Sequence, residues 1–379
     1  MRRASAYLVL ASALAACGGG AHPATPPPHV AAAAPVNAGP SGALASRIDA
    51  LARAEFDAQH LVGITVAVGT TRGFTWSSGY GKADLENDVP ATADTVYRLA
   101  SVTKTITAVA AMTLAESGKL DLDAPIQRYV PSFPEKQWPV TARHILAHSS
   151  GIRHYKDDEP ENTTHYPSLE AGLDRFKGEP LQYEPGTAYV YSSYAFNLLG
   201  RAIEGASGES YVAYVRDHVF TPAAMTSTRD DDLRAIVAHR AEGYARTAEG
   251  ALENSVLTDT SFKIPSGGLC GTAKDLVSFG LAIASHRLLH PESLAKMLTL
   301  TTIGTPPKPN PDGFGLGWML ESLDGHRAAF HTGAQPRTSA MIYLLPDEGV
   351  VVALLSNLEG TTLHPLARAM AKAVVEAKE

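Results

Sequence analysis

The stretch Ser101-Val102-Thr103-Lys104, followed at once by Thr105-Ile-Thr-Ala-Val-Ala-Ala-Met-Thr-Leu-Ala115, decides how this chain is read. The residues after Lys104 are apolar, alanine-rich and uncharged, which is the composition of a helix buried on all sides. Ser101 and Lys104 are three residues apart, nearly one helical turn, so their side chains share a face. A serine hydroxyl is a poor nucleophile until a neighbouring base takes its proton. An amine held in a dry pocket has a lowered pKa and can be that base. A helix start also favours developing negative charge. The same four residues would equally describe a serine cap beside a solvated lysine, so the tetrad takes its meaning from the rest of the chain.

Working outward, residues 46–60 carry apolar positions at helical spacing (Ile48, Leu51, Ala52, Phe56). Leu61 to Thr70 is β-branched and alternating, and Phe74 to Tyr80 reads as its hairpin partner across Thr71-Arg72-Gly73. From Ser101 to about Thr260 the pattern is mostly helices and loops. Strands return at 327–331, 339–345 and 349–356, with a turn at Pro346-Asp347-Glu348-Gly349, and a helix closes the chain over 361–377. This order predicts an α+β fold: an antiparallel sheet built from both chain ends, flanked by helices, with a mainly helical lobe inserted. The expected sheet lobe is 44–100 plus 261–379 and the helical lobe 101–260. The cleft between them is the natural place for a site.

Composition bounds the alternatives. The chain has 379 residues, 45% hydrophobic and 19% charged, with net charge -7. That supports a large core, and without a basic stripe nucleic acid is not an expected partner. Met1-Arg2-Arg3, the apolar stretch from Tyr7 to Ala16 and the small residues Leu14-Ala15-Ala16 before Cys17 read as a signal peptide over 1–16. The cysteine directly after them resembles a bacterial lipobox, which implies a lipid on Cys17 and an exported, membrane-anchored protein, periplasmic or on the outer surface. Residues 17–43, rich in Gly, Ala and Pro, read as a tether. The second cysteine, Cys270, reads as a small buried residue, leaving no disulfide if Cys17 is acylated.

Two further motifs follow the tetrad. Pro185-Gly-Thr-Ala-Tyr-Val-Tyr191-Ser-Ser193 places a phenol and two hydroxyls before a helix marked by Ala195, Phe196, Leu198 and Leu199. His331-Thr332-Gly333 ends an expected strand, where glycine lets backbone approach a ligand. The order Ser101-x-x-Lys104, Tyr191-x-Ser193, His331-Thr-Gly333 resembles the serine β-lactamase and penicillin-binding superfamily. It is most similar to the class C-like branch of β-lactamases, D-Ala-D-Ala carboxypeptidases, esterases and D-aminopeptidases. Thr95-Val-Tyr-Arg98, Gly118 to Pro125, His144 to Gly151, Gly267 to Leu276 and Gly313 to Trp318 match as well, so the resemblance covers about 46–375. Gly151 to Asp157, with Tyr191-Ser-Ser193 and His331-Thr-Gly333, looks most like the mitochondrial serine β-lactamase-like proteins and their bacterial relatives.

The resemblance implies a β-lactamase/transpeptidase-like fold and a serine hydrolase working through an acyl-serine. It implies Ser101 as nucleophile, Lys104 and Tyr191 sharing the acid–base work, and the backbone N–H groups of Ser101 and Ala334 as oxyanion hole. Which of Lys104 and Tyr191 is the base stays open, because coupled groups titrate as a unit. Ser193, His331, Thr332 and Gly333 are expected to bind substrate. Two positions depart from the β-lactamase pattern: Ser193 stands in place of Asn and His331 in place of Lys. Imidazole is mostly neutral at pH 7, so a permanent cation is missing, and Arg337 is a candidate replacement. His331 is expected to change activity between about pH 5.5 and 7.5. These departures favour a peptidase- or esterase-like hydrolase over an efficient β-lactamase. A weak β-lactamase and an idle penicillin-binding or scaffolding protein are the alternatives.

A metal hydrolase is disfavoured. His144 and His148 have i, i+4 spacing, but Ile145 stands where a metalloprotease glutamate would, and no metal or other cofactor is expected. No G-x-S-x-G occurs, so there is no nucleophile elbow. The expected partners are a small-molecule or peptide substrate and, through Cys17, a membrane. The sequence does not fix the substrate or the oligomeric state.

Overall fold

A computed structural model describes residues 42–156, 159–304, 308–310 and 313–377. The expected signal peptide, Cys17 and all of the tether except Gly42 and Ala43 lie outside the described residues. Both chain ends build one sheet. Its strands are β1 (Gly63–Thr70), β2 (Thr75–Asp84), β3 (Val89–Pro90), β4 (Met319–Leu323), β5 (His326–Gln335), β6 (Thr338–Leu345) and β7 (Val350–Ser356). The order is β4-β5-β6-β7-β1-β2-β3, antiparallel throughout. β1 is paired on both edges, its register to β7 running from Ile64↔Ser356 to Thr70↔Val350.

Side chains alternate across the sheet with the period of two that a strand imposes. Five helices matter here: α1 (Ala43–Ala58), α2 (Thr103–Glu116), α3 (Ser193–Ser207), α4 (Ala273–Ala284) and α5 (His364–Glu376). Ile64, Val66 and Val68 of β1 join Val350, Val352 and Leu354 of β7 under α1 and α5, which contribute Ile48, Phe56, Leu366 and Met370. On the opposite face Ala67, Val351, Ala353 and Leu355 meet Leu276, Phe279 and Ile283 of α4, and this core continues into the helical lobe. Gly280 sets the helix–sheet distance. A Cβ there would lie 2.6 Å from Val351 Cγ1, so a side chain would push α4 off the sheet.

α2 is buried along almost its whole length. Its threonines fit because their hydroxyls find carbonyls: Thr105 Oγ1 donates to Val102 O at 2.8 Å and Thr107 Oγ1 to Pro265 O at 2.6 Å. The second bond grips the segment that faces Lys104.

The hairpin Tyr244–Arg246/Leu252–Asn254 falls in the expected helical lobe but is built onto the sheet lobe. Tyr244 N–H donates to Asn357 O at 2.8 Å, and its ring joins the core under α1 and α5. Strands of three residues, with mostly exposed positions, carry too little alternation to be read. β4 was missing from the expected set for a similar reason: only Leu323 of its five residues is buried. A small three-stranded sheet (Tyr97–Arg98, Leu269–Gly271, Arg229–Asp230) joins the lobes. There Arg98 Nε pairs with buried Asp231 at 2.7 Å, while its other nitrogens donate to Thr258 Oγ1 and Thr258 O, both at 2.7 Å.

Candidate active site

Ser101 sits on a single 3-10 turn, Ala100–Val102, that feeds α2. Ala100 has φ +45°, a left-handed conformation that costs a non-glycine residue about 1–2 kcal/mol. The turn is wedged against β5. A Cβ on Gly333 would lie 2.7 Å from Leu99 O and 3.1 Å from Ala100 Cβ, so only glycine lets the strand come this close. β4 pairs with β5 only as far as Met319↔Phe330. Beyond that point His331 to Gln335 are paired with β6 alone, and the strand's other edge borders the Ser101 turn.

Lys104 Nζ lies 3.1 Å from Ser101 Oγ and donates to Ser266 O at 2.7 Å. Its side chain is wholly buried and forms no ion pair among the described residues. Burial, with the charge of Lys263 adding to it, holds its pKa well below the ordinary lysine value. The ammonium position is 5.0 Å from the centre of the Tyr191 ring. Burial pushes the Tyr191 phenol above its ordinary value, opposed by hydrogen bonding from Ser101 and Ser193. The two shifts run in opposite directions and favour the same state, a neutral amine beside a neutral phenol.

The Tyr191 segment is held by histidines. Ser192 N–H donates to His148 Nδ1 and Ser193 N–H to His154 Nδ1, both at 3.1 Å. Ser192 Oγ caps α3 by accepting from Ala195 N–H, and donates to Arg153 O. The His148 ring lies 4.3 Å from that of Tyr191. As acceptors at Nδ1, both rings must be neutral. Burial keeps His148 well below its ordinary pKa and brings His154 to about 4. This is the structural role of His148, one of the two histidines whose spacing raised the question of metal. Among the described residues, no group of three or more His, Cys, Asp or Glu side chains is placed to hold a metal ion.

His331 is also buried and neutral. Its Nδ1–H donates to Thr332 O at 2.6 Å, leaving Nε2 as an acceptor. Burial, with Lys104 adding to it, takes its pKa down to about 3. This corrects the expectation that His331 titrates between pH 5.5 and 7.5. A His331→Gln enzyme is expected to keep the wild-type shape of its pH–rate profile across that window, whatever its absolute rate. A limb that disappears in the variant would restore titration to His331.

The cleft has a volume of about 390 Å³. Ser101, Tyr191, Ser193, His331, Thr332 and Ala334 all line it; Gly333, expected to bind substrate, is not among the lining residues and instead packs against Leu99 and Ala100. Arg337 does not line it. Its guanidinium pairs with Glu242 and its N–H donates to Glu359 Oε1, so the candidate replacement cation is turned toward the Arg98–Asp231 junction. Cys270 is buried and free, its thiol pushed up to about 12 by burial. The sequence reading missed Lys263, Ser266 and Gln335, all of which line the cleft. The available signal was a lysine set among apolar residues, Phe262-Lys263-Ile264-Pro265, just before a matching segment.

A serine hydroxyl, a buried amine and a buried phenol meet at the junction of an antiparallel sheet and a helical lobe, in a β-lactamase/transpeptidase-like fold. The chain belongs to the beta-lactamase family, whose pattern matches residues 48–376. It is 28% identical over 417 aligned positions to the serine beta-lactamase-like protein LACTB, mitochondrial, of Homo sapiens, across 80% of this chain and 75% of that protein. Two solved structures share the fold. The D-amino acid amidase from Ochrobactrum anthropi SV3 complexed with D-phenylalanine superposes with a TM-score of 0.77 at 23% identity, over 89% of this chain and all of that one. EstCE1, a hydrolase with promiscuous acyltransferase activity, gives 0.74 at 22% identity, over 87% of this chain and 98% of that one.

Proposed function

We propose that the protein hydrolyses an amide or ester bond of a small-molecule or peptide substrate through an acyl-serine on Ser101. The observation that carries this reading is Lys104 Nζ at 3.1 Å from Ser101 Oγ, buried and with its pKa lowered. A neutral amine at that distance can accept the hydroxyl proton as Oγ attacks the carbonyl. Tyr191, kept protonated by burial, is suited to passing a proton to the leaving group. The N–H groups of Ser101 and Ala334 receive the developing oxyanion, each worth about 2.7–4 kcal/mol in the transition state. Water then attacks the acyl-serine. Ser193, His331 and Thr332 line the cleft and orient the substrate.

The neutral His331 disfavours efficient β-lactam turnover, since that position supplies no cation. Peptidase- or esterase-like chemistry follows, in keeping with an amidase and a hydrolase with promiscuous acyltransferase activity among the structural neighbours. A panel of p-nitrophenyl butyrate, a D-Ala-D-Ala peptide, L-peptides and nitrocefin tests this. Turnover of the ester or the D-peptide is expected to exceed that of nitrocefin. Failure of all four together with failure of a fluorophosphonate to label the protein would sink the reading. The lipobox-like end of the first segment supports a site of action at the cell envelope, tethered through Cys17.

A further inference from the structure

Lys263 is the one charged side chain that lines the cleft among the described residues apart from the neutral histidines, and no Asp or Glu lines it. Its side chain is buried. It forms no ion pair among the described residues. Its Nζ instead lies 5.7 Å from the centre of the Tyr155 ring and 5.6 Å from that of Phe262. The carboxylate whose charge acts on it, Asp231, is already committed to Arg98 at 2.7 Å and Arg240 at 3.5 Å. A second cleft-lining group points the same way. Gln335 Nε2 is a buried donor with no acceptor among the described residues. A buried cation without a counter-ion and a buried amide donor without an acceptor, both lining a cleft that holds no carboxylate, are costly unless a ligand completes them.

We infer that Lys263 is the substrate-recognition cation of this cleft, and that the natural substrate carries a carboxylate that the ammonium binds. The inference rests on the acyl-serine reading and narrows its substrate to anionic acyl compounds. Lys263 supplies a cation to a cleft in which burial keeps His331 neutral and from which Arg337 is turned away. The charged and titratable groups around Lys263 are Arg98 and Asp231 from the junction, Arg175 from the helical lobe, and Lys104, His154 and Tyr155 on the side of Ser101 and Tyr191. Burial, reinforced by Arg98, brings Lys263 down to about 7. Its charge is therefore present at pH 6 and largely lost by pH 8.5.

The test uses ethyl p-nitrophenyl alkylphosphonates in matched pairs, one arm ending in a carboxylate and the other in the neutral primary amide. A second pair carries the same two groups on the phenol. In each, a Ser101 Oγ–P bond forms, the P–O bond to the phenol breaks, and the serine proton passes to Lys104. Rates are read by mass spectrometry of the labelled protein. The ratio of carboxylate to amide within a pair cancels any shared effect on Ser101 activation.

The wild type is expected to prefer the carboxylate by about tenfold at pH 6 in at least one pair. The preference should fall toward unity at pH 8.5 and in Lys263→Met or Lys263→Gln, and persist in Lys263→Arg. Equal rates within both pairs in the wild type, or a preference unchanged in Lys263→Met, would overturn the inference while leaving the acyl-serine reading intact. No labelling of the wild type by any probe would overturn both. Lys263→Gln and Lys263→Arg carry the same comparison if Lys263→Met does not fold.

Discussion

Ser101→Ala is expected to lose turnover by roughly 10⁴- to 10⁶-fold, the scale seen when a serine nucleophile is removed. Labelling by a fluorophosphonate or penicillin probe should vanish with it. The hydroxyl's near neighbours are Lys104 and Tyr191 in the cleft, and the side chain supports no core contact. The variant should therefore fold and melt close to the wild type, and substrate binding can be measured separately. Persistent labelling at wild-type rate would remove Ser101 from the mechanism and, with it, the meaning given to the whole tetrad.

Lys104→Met is expected to cost roughly 10²- to 10⁴-fold in kcat/KM, the range assigned to a positioned general base. The wild type should gain activity as pH rises through the lowered Lys104 pKa, because only the neutral amine accepts the serine proton. That acidic limb should be absent in the variant. A stability measurement gives an independent readout. Unfolded, the amine titrates near about 10.4; folded, it titrates far lower. Between these values the unfolded chain holds one more proton, so Lys104 makes stability rise with pH across that window. The methionine variant should lose this part of the slope. A variant that keeps both the acidic limb and the slope would show that Lys104 is charged, not neutral, in the folded protein.

The sequence carried some parts of this protein clearly and hid others, for physical reasons. Long elements buried at nearly every position were legible: β1, β6, β7 and α2 carry runs of apolar and β-branched residues. Ser101, Lys104 and Tyr191 were legible because they sit at fixed offsets from such elements. β4 and the 244–254 hairpin were not, since strands of three to five residues with exposed positions leave no periodic trace. The directions of Arg337 and Lys263 were also hidden. Each is a cation in a loop or turn, and its target depends on residues far away in sequence: Glu242 for Arg337, the cleft for Lys263. The His331 titration failed as an expectation for a related reason. An imidazole's pKa follows burial and nearby charge, and neither is written in the local sequence.

The register of β1 against β7 has a consequence for how the protein is made. Ile64 pairs with Ser356 and Thr70 with Val350, so the central ladder joins residues separated by most of the chain. During synthesis β1 can form a hairpin with β2, but its other edge has no native neighbour until the last strand emerges. Contacts this distant are slow to close, and an apolar strand with an open edge invites mispairing in the interval. The native sheet is therefore an event of chain completion. A ribosome stalled before Val350 would carry Ser101 and Lys104 in sequence, but no complete sheet on which to set them.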